Sequence, residues 1–425
     1  MNRVRVAIGK AMVPVGVLDF EVRPDKQISV FRYSDEWLDN PVSFSIAPSL
    51  PLATRVFHES APYSDPRPSL PSVFADCAPD GWGRRLVAQD MGKTPTELEY
   101  LLAANDRTRH GALRFLDEHG RPLAYGVPPV PRLSQLPDIR RLAGAFETGK
   151  GDLRAVAHEL RGWGSTLGGA RPKSDYEDAD GVLHIAKYTT EKDTLPIERM
   201  EVATLRLAQE AGLRAATGKL ALDRTSYPVA LIKRFDRAPD GGRLHYVSAR
   251  TFLGTDSGHY TDLADQMRSS CRGEELAGEL RELHRRILFS ILVSNDDDHL
   301  KNHGFLYAGD GNWRLSPAFD INPNPNGSTQ LQTGIGEQFG HQPSIGAAVE
   351  AAPLFEVNKD AAMADVRRMA KVVSERWRPL CTEAGMDRHA CDRYADAFNR
   401  ADGYGQTEGR KGQHRTPKKA DLPDH

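Results

Sequence analysis

Apolar and polar positions alternate along the first thirty residues of the chain. Val4, Val6 and Ile8, then Val15, Val17 and Leu18, then Ile28, Val30 and Phe31 recur at or near every second place, separated by breaks that contain Pro and Asp. A period of two puts successive side chains on opposite faces of a strand, so this stretch predicts a small β-rich unit. Prolines cluster between Pro62 and Pro71 and again at Pro128, Pro129 and Pro131, which marks 120–150 as a connection. After it, a Gly-rich loop, a strand, a helix and further strands run as far as Arg237. The period then becomes helical: Leu280, Leu283, Ile287, Leu288, Ile291 and Leu292 recur near every third or fourth place between Glu279 and Val293. The expected units are 1–150, β-rich with its connection; 151–240, strand-containing; 241–403, mainly helical; and 404–425, a polar tail expected to be disordered.

Composition narrows the function classes. A length of 425 residues suggests two or three domains. Lys and Arg number 56 against 58 Asp and Glu, a net charge of −2, which removes the simplest argument for wholesale nucleic-acid binding but leaves room for a local basic patch. Cys77, Cys271, Cys381 and Cys391 lie far apart with no C-x-x-C pair, so neither a zinc knuckle nor a disulfide framework is indicated, and a reducing cytoplasm is the expected compartment. Lys10, Pro14 and Gly16 interrupt the apolar start, which reads as strand, not signal peptide. No apolar run approaches the roughly 18 residues that span a bilayer, so no membrane insertion is expected.

The densest chemistry lies at Asn295-Asp296-Asp297-Asp298-His299-Leu300-Lys301-Asn302, after the apolar helix and before a short strand, Phe305 to Tyr307. An acidic run by itself is most often a solvated loop. Here Asp297 and Asn302 stand at the D-x-x-x-x-N interval of a kinase catalytic loop, in which the Asp takes the acceptor proton and the Asn holds magnesium. A hairpin-like turn at Gly309 to Asn312 then leads to Phe319-Asp320, the place where a second metal-holding carboxylate would return beside the first. Alone, Asp320 would pass for a turn-forming residue at a strand end.

Upstream, Gly164 to Lys173 forms the Gly-rich loop, with Ser165, Thr166, Gly168, Gly169 and Ala170, and Val182 to Lys187 a strand ending in lysine. Small residues let backbone N–H groups approach phosphate oxygens, and a strand-borne ammonium neutralises them. A plain turn is the commoner meaning of such a loop. The order of loop, strand lysine and helix is what points to a nucleotide. The helix from Pro196 to Leu213 carries Glu198 and Glu201, either of which could pair with Lys187, and Ala230 to Arg237 runs as an apolar strand into a charged hinge. A metal-hydrolase site built from Asp296 to His299 with Asp320 would use the same ligand types, but leaves the loop and Lys187 unexplained.

Taken together, Phe74 to Gly83, Gly168 to Lys173, Ile232 to Arg237, Asn295 to Asn302 and Leu315 to Asp320 make the chain resemble HipA-type serine/threonine kinases, the toxins of bacterial type II toxin–antitoxin pairs. The resemblance extends over about residues 1–400. It implies an α+β, two-lobed protein-kinase-like fold, with an N-terminal β-rich subdomain and a mainly helical C-terminal lobe. It further implies ATP and Mg2+ as cofactors, Asp297 as base, and Asn302 and Asp320 as metal holders. Lys187 would contact ATP phosphates, positioned by Glu201, the better match to the family's helix position. Gly168, Gly169 and Ala170 would cradle phosphate, with His299 and Lys301 near it; Lys233 and Phe235 would line the adenine and Asp236 the ribose. Thr166 or Ser165 stands where the family autophosphorylates. The GGARPK stretch departs from relatives that carry Gln and Glu before the Lys. The resemblance also implies a small helix-turn-helix antitoxin of the HipB kind, operator DNA reached mainly through it, and a translation protein such as an aminoacyl-tRNA synthetase as substrate. An inactive relative serving as the antitoxin's corepressor, or a small-molecule kinase, would share most of these residues.

Overall fold

The computed structural model describes residues 2–405 apart from 66, 124–128, 164–168, 272 and 274. Its first sheet is an antiparallel arrangement of β1 (Asn2–Ile8), β2 (Val13–Val22), β3 (Lys26–Tyr33), β4 (Phe57–Pro62) and β5 (Leu113–Leu116), in the order β4-β3-β2-β1-β5. Val4, Val6, Val15, Leu18 and Phe31 are buried with Phe74 and Phe115. In β3 the inward face differs from the expected one: Gln27, Ser29, Phe31 and Tyr33 are buried, while Ile28 and Val30 are only half-buried. Ser29 can face inward because its hydroxyl donates to the Ser69 carbonyl at 2.6 Å, so the buried polar group is satisfied.

The second sheet comprises β6 (Lys173–Glu177), β7 (Leu183–Tyr188), β8 (Gly218–Ala221) and β9 (Val229–Lys233), ordered β6-β7-β9-β8 with every pair antiparallel. Alternation in β9 sends Val229 and Leu231 to one face and Ala230 and Ile232 to the other. The first face packs against helices Leu136–Thr148 and Leu153–Gly162 and against Trp82 and Leu86. Helix Leu136–Thr148, expected in the connection, therefore belongs to the core of the second sheet: Leu136, Ile139, Leu142 and Ala143 have their apolar partners there. The opposite face meets helix Ile197–Glu210, which joins β7 to β8.

A third sheet, β10 (Tyr246–Ser248), β11 (Gly304–Gly309) and β12 (Asn312–Leu315), lies among the helices Tyr260–Ser270, Glu275–Leu292, Lys359–Glu383 and Ala395–Gly405. Asp310 and Gly311 both have positive φ, 51° and 72°, as a two-residue hairpin turn between twisted strands requires. The six apolar positions expected on one helix face, Leu280 to Leu292, are all fully buried. The last helix continues through Tyr404 to Gly405, into the segment expected as tail; 406–425 lie outside the described residues. Among the described residues no helix is long and apolar enough to cross a membrane.

Candidate active site

β6 and β7 pair with Lys173 directly opposite Lys187, so two ammonium groups share one face of the second sheet. That face is the one covered by helix Ile197–Glu210, and Glu201 on the helix meets Lys187 at 2.5 Å. Lys187 also donates to Asp320 at 2.7 Å, which ties the sheet to the segment following β12. Burial works against the Lys187 charge, but Asp320 and Glu201 raise its pKa above the ordinary lysine value. Glu198, the other acid of the helix, instead accepts from Arg171 at 2.9 Å and from the Thr189 hydroxyl at 2.9 Å. Burial and the neighbouring Lys187 bring Lys173 down to about 8. Position 173 lies within the Gly-rich segment, and only the strand register reveals that its side chain joins this cluster.

Asp320 has φ of 57°, in the left-handed region, and its carboxylate accepts from Lys187 and from Asn322 Nδ2 at 2.9 Å. Burial opposes its charge, yet Lys187 and Lys173 hold its pKa well below the usual carboxylate range. It is therefore an ionised oxygen donor at neutral pH.

The loop 295–302 begins where helix Glu275–Leu292 ends, with Ser294 at φ of 52° turning the chain. Its residues divide by environment. Asp298 is buried, accepting from the Tyr260 hydroxyl and from Ser290 Oγ at 3.0 Å, with His303 Nε2 3.1 Å away. Asp296 accepts from Asn324 Nδ2 at 2.7 Å. Asp297, between these two anchors, is exposed. Its carboxyl is pushed above the ordinary range by partial burial and by the charges of Asp320, Asp296 and Asp298, with His299 acting the other way. Asn302 is buried and donates through Nδ2 to the Asp297 carbonyl at 2.9 Å, which fixes the amide in the loop. Among the described residues no group of three or more His, Cys, Asp or Glu is arranged to hold a metal ion. Asp320 and the Asn302 amide nevertheless suit Mg2+, which is commonly held by one or two protein oxygen donors together with phosphate oxygens and water.

The remaining expected residues are placed as follows. Gly169 and Ala170 are exposed at the end of the Gly-rich loop, whereas Ser165, Thr166 and Gly168 lie outside the described residues. Lys233 is exposed at the end of β9, and its N–H donates to the Thr217 carbonyl at 2.8 Å. The Phe235 ring stands 5.4 Å from that of Phe319 and 5.9 Å from that of Tyr246, forming an aromatic wall. His299 and Lys301 line a cavity of about 440 Å³ with Arg67, Asp80, Arg250 and Asp256, and Lys301 Nζ pairs with Asp80.

Asp236 is placed differently from the ribose contact expected of it. It is buried, one oxygen accepting from Arg234 Nε at 2.8 Å, the other from Arg234 Nη2 at 2.5 Å, Arg237 Nη1 at 2.8 Å and the Gly111 N–H at 2.7 Å. The Gly111 N–H comes from the N-terminal unit, so this carboxylate joins two parts of the molecule.

Comparison with known proteins bears on the family and the fold. Residues 7–116 match a family model described as the HipA N-terminal domain, and residues 165–377 one described as the HipA-like C-terminal domain. Two proteins of Sinorhizobium fredii are similar in sequence. That named "Putative kinase Y4mE" is 25% identical over 327 residues, covering 68% of this chain and 71% of its own. That named "Putative kinase Y4dM" is 27% identical over 266 residues, covering 59% and 62%. In structure, the chain is similar to one solved in the complex of HipA, HipB and operator DNA from Shewanella oneidensis. The TM-score is 0.67 at 15% identity, over 94% of this chain and 97% of that one, which establishes a shared fold. With both domain models matched in order along a single chain of that fold, the protein belongs to the HipA family.

Proposed function

We propose that this chain is an ATP- and Mg2+-dependent protein serine/threonine kinase, the toxin of a type II toxin–antitoxin pair. One observation carries the reading: the Lys187 ammonium bridges Glu201 and the ionised Asp320, while Asp297 is left exposed in the neighbouring loop. Asp297 takes the proton of the acceptor hydroxyl at its carboxylate, as the γ-phosphoryl group passes to that oxygen and ADP leaves. Lys187, oriented by Glu201, would neutralise phosphate oxygens, and the exposed Gly169–Ala170 backbone would help to hold them. Asp320 and Asn302 would hold Mg2+, whose chemistry when bound is to neutralise charge on the phosphates. Phe235 and Phe319 offer the apolar surface that an adenine ring stacks on. Family membership supports the remaining assignments: a HipB-like helix-turn-helix antitoxin, operator DNA engaged through it, a translation protein such as an aminoacyl-tRNA synthetase as target, and self-phosphorylation at Thr166 or Ser165.

The test is to incubate the purified chain and Asp297→Asn with Mg-ATP, measure intact mass, and map phosphate by peptide fragmentation. Phosphate on Thr166 or Ser165 in the wild type alone is the expected result. Nucleotide binding with no transfer to the chain or to any translation protein would overturn the kinase reading in favour of a corepressor.

A further inference from the structure

The segment Asp80-Gly81-Trp82 opens helix Gly81–Met91, which lies in the N-terminal half of the sequence, yet it touches both sides of the nucleotide cleft. On one side, the Trp82 N–H donates to the Gly169 carbonyl at 2.8 Å, and Arg85 Nη2 reaches the Ala170 carbonyl at 3.3 Å. On the other, the Asp80 carboxylate pairs with Lys301 in the loop that carries Asp297. The approach is close enough to demand glycine: at Gly81 (φ 31°) a Cβ would stand 2.6 Å from the Gly169 oxygen.

The segment is also held from behind. Arg84 forms a two-pronged pair with Glu97, at 2.8 and 2.7 Å, and the Glu97 N–H donates to Gln27 Oε1 of β3 at 2.8 Å. The Trp82 side chain is fully buried in the core of the second sheet, its ring 5.2 Å from Phe146. The Asp76 carboxylate accepts from the N–H and hydroxyl of Ser248 at 2.7 and 2.9 Å, securing the chain just upstream to the third sheet. A continuous path of hydrogen bonds and packed side chains thus runs from the first sheet to the turn at Gly169–Ala170 and to Lys301.

We propose that Asp80, Gly81, Trp82 and Arg85 are positioning residues, through which the N-terminal unit sets the gap between the phosphate-facing turn and the catalytic loop. None of them needs to touch substrate, since both of their contacts act through other residues. The inference rests on the kinase reading above, and implies that the first 120 residues or so govern how ATP is held.

Three variants of the full chain test it: Arg85→Ala, which truncates an exposed side chain whose guanidinium stands 5.4 Å from the Trp82 ring; Asp80→Asn; and Gly81→Ala. Arg154→Ala serves as control, because it removes the 3.1 Å bond to the Asp90 carbonyl at the far end of the same helix. The expected result is a KM for ATP raised about tenfold, the effect of losing one ordinary charged hydrogen bond, with kcat changed less than twofold. Backbone amides 169–171 should exchange hydrogen faster without nucleotide, Arg85→Lys should restore both readouts, and Arg154→Ala should move neither. Unchanged KM and unchanged exchange in folded Arg85→Ala and Asp80→Asn would overturn the proposal, as would equal effects from Arg154→Ala. If the wild type transfers no phosphate, the kinase reading fails separately, and exchange at 169–171 alone decides whether the segment holds the turn.

Discussion

Two of this chain's clusters of opposite charge, one partly open and one buried, are built for different ends. In the cleft, Glu201 and Asp320 flank the Lys187 ammonium, with Lys173 beside them and Asp297 exposed nearby. Between the N-terminal unit and the second sheet, Arg234, Asp236 and Arg237 meet the backbone of Thr108, Arg109 and Gly111, with Asp175 3.5 Å from Arg234. In the second cluster both oxygens of Asp236 and every prong of the Arg234 guanidinium are engaged. The cleft cluster keeps an ionised carboxylate and an ammonium beside an open surface. The full engagement of Asp236 and Arg234, not of every member, distinguishes the charged joint from a site that still has something to bind; Asp175 makes no hydrogen bond to Arg234.

The sharpest way to break this contrast is to remove one member of the joint. Arg234→Met should cost about 4 kcal/mol in stability, because it leaves Asp236 and Asp175 buried with one cation fewer; chemical denaturation checks it. Asp297→Asn should do the opposite, lowering phosphoryl transfer by about 10²–10⁴-fold while its melting curve overlays that of the wild type.

The contrast also explains what was legible in the sequence. Asp236 and Asp320 both follow a Phe, and the chain alone gives no sign that the arginines flanking Asp236 fold back on it, or that Gly111, 125 residues away, supplies an N–H. The meeting of Lys187 with a helix acid was legible from element order, since a helix following a strand packs on one face of its sheet. The residues alone leave Glu198 and Glu201 open, the resemblance points to Glu201, and the fold occupies Glu198 elsewhere, with Arg171. Asp80 and Lys301 are 221 residues apart, and no local pattern joins them. In β3, alternation named the strand but not its inward face, because Ser29 has a carbonyl partner that only the folded chain provides.

Smaller effects sharpen the comparison through pH. His245 is buried, its Nε2 2.7 Å from the Ile46 carbonyl, and burial lowers it to about 4. Below about 6.5 the unfolded chain takes up a proton that the fold excludes, so this contribution is intact above that pH and is lost as pH falls towards 4. Going from pH 7 to 5 should cost about 2 kcal/mol through this residue, and His245→Gln should flatten that part of a melting-temperature profile. In the cleft, Asp297 must be ionised to act as base, so kcat should rise with pH through a value above that of a free carboxylate. The smallest effect is on the alkaline side, where Lys173 loses its proton near 8. Activity should decline there by about two- to threefold, and Lys173→Arg should move the decline upward.

The left-handed backbone of Asp320 has an evolutionary consequence. A non-glycine residue at φ of 57° is held there at a cost of order 1 kcal/mol, which glycine would not incur. Asp320→Gly would therefore ease the backbone while deleting the carboxylate on which the proposed chemistry depends. That relief is outweighed by the loss to Lys187 of one of its two carboxylates, so the strained acid is retained by the electrostatics of the fold as well as by function. Loss of function in this lineage would then be expected to change the lysines together with the carboxylate, not the carboxylate alone.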